Sequence, residues 1–347
     1  MSLLHGLATR ALHGLDPEDA HGLAIRALKA GLGPVAGRDD PILTTEVAGL
    51  RLPNPVGLAP GFDKNAEVFG PMLRAGFGFV ECGTVTPQPQ AGNPRPRLFR
   101  LTEDRAVINR MGFNNEGLEP FAARLARRGP GVIGANIGAN KDSEDRVADY
   151  VACLRRLWGL ASYFTINISS PNTPGLRALQ TKAALDELLG RLAEARDALP
   201  ADGRAPMFLK VAPDLADGEA EAIVETVLAH GLSGIVVSNT TVERPALASA
   251  HHQETGGLSG APLAALSTKM LARFAAIAAG RLVLIGAGGI DSGAAAYAKL
   301  RAGASAVQLY SALVFEGPGL VGRIKRELAA ILRAEGFRAV GDAVGAK

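Results

Sequence analysis

An α/β protein, a (β/α)8 TIM barrel with a small N-terminal two-helix domain, is what this sequence predicts, on three observations. Eight short apolar runs recur between Val56 and Leu309, each followed by a polar or Gly-rich turn and then a helical pattern, the alternation that builds a parallel sheet. The runs are apolar almost throughout, as strands covered on both faces must be. Polar residues follow the C-terminal ends of nearly all of them, on the side where barrels build their sites. A doubly wound open sheet is the competing architecture. The 347 residues hold two domains or one barrel with an appendage.

The appendage comes first, and its boundary is placed at residues 1–33, with the barrel over 34–347. From Met1 to Leu15, apolar Leu3, Leu4, Leu7, Ala11, Leu12 and Leu15 recur at helical spacing. A second helix then starts with Asp16 as N-cap, Pro17 at N1 and Glu18 and Asp19 in the first turn. Leu23, Ala24, Ala27 and Leu28 form its apolar stripe, and Gly31 or Gly33 ends it. Such a pair can be a hairpin packed on the barrel, or a membrane-surface or tunnel-forming element. Arg10, Arg26 and Lys29 balance Asp16, Glu18 and Asp19, so membrane attraction would rest on apolar burial.

The eight strands are read at Val56 to Ala59, Phe79 to Thr84, Val132 to Ile137, Tyr163 to Ile168, Met207 to Val211, Gly234 to Ser238, Leu282 to Gly286 and Ala306 to Leu309. After the first, APGFDKN delivers Lys64 to the barrel mouth; by itself such a lysine is usually a solvated charge. A long excursion to about Pro130 follows the second, carrying PRLFRL and NRMGFNN, and its mixture of Met111 and Phe113 with Asn109, Asn114 and Asn115 suggests a segment folded over a ligand. The third strand ends at Asn136. The fourth runs into INISSPNTPG, with Asn167, Ser169, Ser170, Asn172 and Thr173, residues that also serve ordinary turns. The fifth carries Lys210, an ammonium in a buried run that needs an anionic partner. The sixth ends in SNTT. Gly288, Gly289, Tyr310 and Ser311 follow the last two strands, where barrels hold phosphate on backbone N–H groups, and GGLSG at Gly256 to Gly260 joins them.

Composition removes other classes. Hydrophobic residues are 47% and charged residues 20%, which argues against disorder and fibrous repeats. The 42 glycines, about 12% against a usual ~7%, imply many tight turns. A formal charge of +3 is far from the basic field of a nucleic-acid binder. Cys82 and Cys153 match no CxxC pattern, so neither a disulfide framework nor a zinc site is expected. No run approaches the ~18 apolar residues of a membrane span, and no signal-peptide pattern opens the chain; the expectation is a cytoplasmic protein. At the mouth there are lysines, asparagines and hydroxyls but no carboxylate or histidine cluster, which suits a flat hydrogen-bonding cofactor with one phosphate and a small anionic substrate, and no metal.

The stretches APGFDK, CGTVTPQPQAGNPRPRLFRL, INRMGFNN, NIGANK, INISSPNTPGLR, SNTT, TGGLSG, GAGGIDS and QLYSA, in this order over essentially the whole chain, resemble the dihydroorotate dehydrogenase family, in its class 2, quinone-linked form. LDPEDAH, Leu15 to His21, is similar to the helical segment that marks that class. The resemblance implies an FMN-bound barrel that oxidises dihydroorotate to orotate in pyrimidine biosynthesis and passes electrons to ubiquinone or another membrane quinone. Ser170 would be the base taking the proton from substrate C5, at a position where the cytosolic class has cysteine. Substrate would be held by Lys64, Asn109, Arg110, Met111, Gly112, Phe113, Asn167, Asn172, Asn239 and Thr240. FMN would be held by Pro60, Gly61, Phe62, Asp63, Lys64, Thr84, Asn136, Asn167, Lys210, Ser238, Gly260, Gly289, Tyr310 and Ser311, with Lys210 favouring negative charge on the flavin. His21, Arg100 and Tyr310 would rim a quinone tunnel. A monomer lying peripherally on the cytoplasmic face of the inner membrane, held by its N-terminal helices, is the implied setting. Another FMN barrel oxidoreductase, or a soluble class that uses fumarate or NAD, and a phosphate-ligand barrel that binds without turnover, are the competing functions.

Overall fold

The computed structural model describes residues 12–346, so the first expected helix, apart from its last residues, lies outside the described residues. The second forms as α1 (Pro17–Lys29). Asp16 Oδ1 accepts from the N–H groups of Glu18 at 2.9 Å and Asp19 at 3.2 Å, occupying two of the donors that a helix start leaves free. The helix closes at Gly31, whose φ of 81° is the left-handed conformation glycine adopts without strain; its N–H donates to Leu28 O while that of Leu32 donates to Ala27 O.

Next come the hairpin strands β1 (Thr45–Val47) and β2 (Leu50–Leu52), then β3 (Val56–Leu58), α2 (Phe69–Arg74), β4 (Phe79–Val85), β5 (Leu98–Leu101), β6 (Ala106–Asn109), α3 (Leu118–Leu125), β7 (Val132–Ile137) and α4 (Arg146–Leu157). The chain continues with β8 (Tyr163–Asn167), α5 (Lys182–Asp197), β9 (Met207–Val211), α6 (Glu219–Ala229), β10 (Gly234–Val237), β11 (Gly257–Gly260), α7 (Ala264–Ala278), β12 (Val283–Ala287), α8 (Gly293–Arg301), β13 (Ala306–Leu309), α9 (Ser311–Glu316) and α10 (Leu320–Ala334). Eight parallel strands close into a barrel in the order β3, β4, β7, β8, β9, β10, β12, β13 and back to β3. The fold is therefore the expected (β/α)8 barrel. Each barrel strand is one of the eight apolar runs, with ends shifted by a single residue at most.

The barrel interior changes character from bottom to top. At the bottom, Phe79, Tyr163 and Phe208 pack edge to face, with ring centroids 6.2 Å and 5.7 Å apart, and Val47 and Leu52 of the β1–β2 hairpin seal them. Room for the rings comes from glycines on neighbouring strands: a Cβ at Gly57 would stand 2.2 Å from the Phe79 ring, and one at Gly134 2.2 Å from that of Tyr163. One tier higher the interior is polar. Buried Glu81 accepts from Asn136 Nδ2 at 2.7 Å, Gln308 Nε2 at 2.6 Å and the Tyr163 hydroxyl at 3.0 Å, as a carboxylate inside a protein must. Above it opens the cavity described below.

Two features were not evident in the sequence. The excursion after β4 folds back as β5 and β6, which pair with β11 into a three-stranded antiparallel sheet over the mouth, burying Phe99, Leu101, Ile108 and Leu258. In addition, Ala261–Ala278 is long and apolar enough to cross a membrane by length and composition, against the expectation that no run approaches that. It packs as a barrel helix, with Met270, Leu271, Phe274 and Ala278 buried.

Candidate active site

A cavity of about 380 Å³ lies at the C-terminal end of the barrel, bounded by the mouth loops, the three-stranded sheet and α1. Its deep half is polar. Lys210, near the end of β9, is 6% exposed and faces the cavity. Burial pulls its ammonium below the usual lysine range while the charge of Glu81 in the tier below pulls it back up; among the described residues no carboxylate forms an ion pair with it, so the anionic partner foreseen for it is not supplied by the chain. Beside it, Thr84 Oγ donates to Asn136 Oδ1 at 2.5 Å and accepts from Asn167 Nδ2 at 3.0 Å. These bonds fix the amide orientations from beneath.

The loop after β8 presents Ser170, 6% exposed, to the cavity. Its Oγ accepts the Asn172 N–H at 3.3 Å, and among the described residues no carboxylate or imidazole is bonded to it. Around it the amides interlock. Asn172 Nδ2 donates to Asn109 Oδ1 at 3.2 Å. Asn239 Nδ2 donates to Ser169 Oγ at 2.8 Å, while its Oδ1 accepts the Thr240 N–H at 2.8 Å. Arg177 holds the two loops together, donating to Ser169 O at 3.2 Å and Thr240 O at 3.3 Å and pairing with Asp214 at 3.0 Å. A ring of donors and acceptors at fixed spacing results, suited to a small planar substrate.

Opposite lies an anion cradle. Gly288 and Gly289 take φ of 100° and 73°, and a Cβ at Gly289 would stand 2.4 Å from Ala264 Cα, so no side chain can replace that hydrogen. The N–H groups of Gly288, Gly289 and Ser311 have no acceptor among the described residues, and the Ser311 hydroxyl donates to Ser259 Oγ at 2.8 Å. Unpaired backbone donors on the wall of one cavity fit a phosphate. With Lys210 and the amides at the other end, the residues fit a flat heterocycle carrying one phosphate.

The outer half of the cavity is apolar, lined by Ala20, Ala24 and Leu28 of α1 together with Phe62, Leu313 and Phe315. His21 stands edge-on to Phe62 at 5.3 Å, and its Nδ1 lies 3.4 Å from the Tyr310 hydroxyl. Burial and the neighbouring Lys64 ammonium push the imidazole down to about 3, so His21 is neutral. Burial likewise brings Lys64 down to about 8, with Arg97 adding to it and Glu18 opposing. Arg100 donates to His13 O at 2.9 Å, leaving Nε buried and unpaired among the described residues.

The cavity wall brings together nearly all the residues expected of a site: His21, Pro60, Gly61, Phe62, Lys64, Thr84, Arg100, Asn109, Met111, Gly112, Phe113, Asn167, Ser170, Asn172, Lys210, Ser238, Asn239, Thr240, Gly260, Gly289, Tyr310 and Ser311. Three stand apart from it. Asp63 is buried under its own loop, accepting the N–H groups of Glu67 at 2.7 Å and Val68 at 2.8 Å, so it shapes the loop that carries Lys64. Arg110, the residue after β6, does not line the cavity as Asn109 does; it pairs with Glu254 at 2.6 Å over the Phe99 ring. Asn136 lies behind Thr84 and Asn167. Sequence reasoning missed Glu81 and Gln308, although a Glu and a Gln inside apolar strands were the available signal, and it missed Ser259 and the apolar contribution of Phe315.

A family model described as Dihydroorotate dehydrogenase matches residues 42–332. Among curated relatives, the dihydroorotate dehydrogenase (quinone) of Rhodospirillum rubrum is 58% identical over 98% of this chain and 94% of its own length. That of Azorhizobium caulinodans is 58% identical over 99% of both. Of solved structures, DHODH from Eimeria tenella in complex with ferulenol superposes with a TM-score of 0.92 at 40% identity, covering 96% of this chain and 98% of that one.

Proposed function

The chain belongs to the dihydroorotate dehydrogenase family, and we propose that its cavity holds FMN between a dihydroorotate pocket and a quinone channel. The reaction is the oxidation of dihydroorotate to orotate with a quinone as acceptor, a step of pyrimidine biosynthesis. The observation that carries the detailed reading is Ser170, buried on the cavity wall within a ring of asparagines. Both cysteines are buried away from it, which fits the quinone-linked class.

Pro60, Gly61, Phe62, Thr84, Asn167, Lys210, Ser238, Gly260, Gly289, Tyr310 and Ser311 would hold FMN, the phosphate lying against the Gly288, Gly289 and Ser311 N–H groups and the ring toward Lys210. Bound there, FMN supplies the acceptor for the hydride leaving substrate C6. The chain's own residues do the rest. Ser170 Oγ takes the proton from C5; a hydroxyl is a weak base, so the step depends on the dry, enclosed pocket and on a path that carries the proton away. Lys64 pairs with the substrate carboxylate, and Asn109, Asn167, Asn172, Asn239 and Thr240 match the ring's N–H and C=O groups. Met111, Gly112 and Phe113 close the pocket from the segment after β6. Lys210 places a fixed positive charge where negative charge develops.

His21, Arg100 and Tyr310 would form the polar rim of the quinone channel, whose walls are apolar side chains of α1 and the loop after β13. Residues 1–33 would act as a membrane-facing unit on the barrel of residues 34–347. Leu15, Leu23, Leu32 and Val35 are exposed, the last two at 70% and 77%, and this apolar surface supports peripheral attachment of a monomer to the cytoplasmic face of the inner membrane. The test is a visible spectrum of the purified protein. FMN should be present, bleach anaerobically with dihydroorotate and return with a ubiquinone analogue, and not with fumarate or NAD. Absence of flavin, or reoxidation by fumarate or NAD, overturns the reading.

A further inference from the structure

Lys299 is a buried charge that none of the chemistry above uses. It lies on α8, 2% exposed, and no carboxylate pairs with it among the described residues. Its Nζ donates to Ser267 Oγ at 2.6 Å. Ser267, on α7 and fully buried, has one hydroxyl proton and three carbonyls that can accept it, Leu263 at 2.8 Å, Ala264 at 3.2 Å and Gly288 at 3.1 Å; the first two lie in its own helix turn, and Gly288 is the one that leads to the cavity. Gly288 C=O belongs to the same peptide as the Gly289 N–H, one of the unpaired donors on the cavity wall.

We propose that Lys299 and Ser267 form a positioning relay behind the anion cradle, holding the Gly288–Gly289 peptide with its N–H toward the cavity and lending it positive potential, so that the site selects a phosphorylated flavin over the unphosphorylated one. The inference rests on the FMN reading and deepens it. Two physical facts support the relay. An ammonium in an apolar interior without a counter-ion is costly, and burial alone pushes that of Lys299 down to about 7; a phosphate on the other side of one hydroxyl and one peptide is the anion that would offset this. Hydrogen bonds in series also polarise one another, so a peptide whose carbonyl accepts from a Lys-bonded hydroxyl has the stronger N–H donor.

The test compares FMN with riboflavin, which has the same ring and no phosphate. Full-length wild type and K299M are purified, exchanged into each flavin, and Kd is read from flavin fluorescence on dilution. Wild type should bind FMN more tightly than riboflavin. K299M should bind FMN about tenfold more weakly, the loss expected for a charge-assisted hydrogen bond, with riboflavin affinity unchanged. Equal loss for both flavins, or none for either, overturns the relay. No preference for FMN in wild type overturns the phosphate reading beneath it. K299Q, which removes the charge but keeps a donor, is held to the same criterion if K299M does not fold.

Discussion

In the proposed reading Ser170 is the residue on which the chemistry would turn: it is buried on the cavity wall while the bonds around it fix its loop. S170A removes only that hydroxyl. Flavin reduction by dihydroorotate should slow by about 10²- to 10⁴-fold while orotate still binds with near wild-type affinity; a rate within a few-fold of wild type in stopped-flow would remove Ser170 from its role. Lys64 carries a pH prediction. Its ammonium titrates at about 8, against an ordinary lysine value of 10.5, so it is charged below pH 8 and loses its proton first in the free protein. Orotate affinity should be full below pH 8 and fall as pH rises above it, and K64M should lack that step. Because the unfolded chain holds this proton longer, the same group costs stability below pH 8, and the cost fades as pH rises from there toward 10.5. A place on the cavity wall was legible where a polar residue stood at or just past the end of an apolar run, as with Ser170, Lys64 and Lys210. Asp63 stood in the same place and serves its own loop instead, because two free N–H groups of the following turn lie within its reach.

Element by element, the molecule depends on a few junctions. α1 is tied to the barrel through Glu18 and Arg97, 2.7 Å apart with both side chains largely buried, and Arg97 in turn braces the approach to β5 through Ala91 O and Asn93 O. E18A leaves that guanidinium uncompensated, a loss of about 3 kcal/mol for a buried pair. It should accelerate proteolysis of the N-terminal segment and slow reoxidation by quinone, with flavin reduction kept; removal of Met1 to Gly33 should do the same more completely. Equal loss of both half-reactions would mark the helix as mere support. Inside the barrel, G134A would press a methyl into the Tyr163 ring, and overpacking of this kind should lower unfolding free energy by about 1–3 kcal/mol, measured in urea. Barrel strands were readable because each is a self-contained apolar run. β5 and β6 were not, being four residues each with partners fixed by the fold, and β11 pairs with β6 from about 150 residues further along the chain.

On the scale of the whole molecule, the apolar surface at Leu15, Leu23, Leu32 and Val35 lies around α1, which also walls the outer cavity. If attachment rests on these side chains, binding to neutral phosphatidylcholine vesicles should persist as salt screens surface charge, and L23D should weaken it. Release by salt alone would show that basic residues carry the attachment. The architecture and the location of the site could both be read from the pattern of runs and loops. The polar tier of Glu81, Gln308 and Tyr163 could not, since it forms only when strands distant in sequence close on one another.

The cavity's two unlike halves respond differently to substitution. The asparagine ring and Ser170 belong to strand-end loops locked by Arg177, whereas the outer wall is built from Ala20, Ala24 and Leu28 on a helix held by a handful of ion pairs. Substitutions on that helix can reshape one wall while leaving the interlocked one untouched. Which apolar molecules the outer half admits can therefore change without disturbing the polar floor.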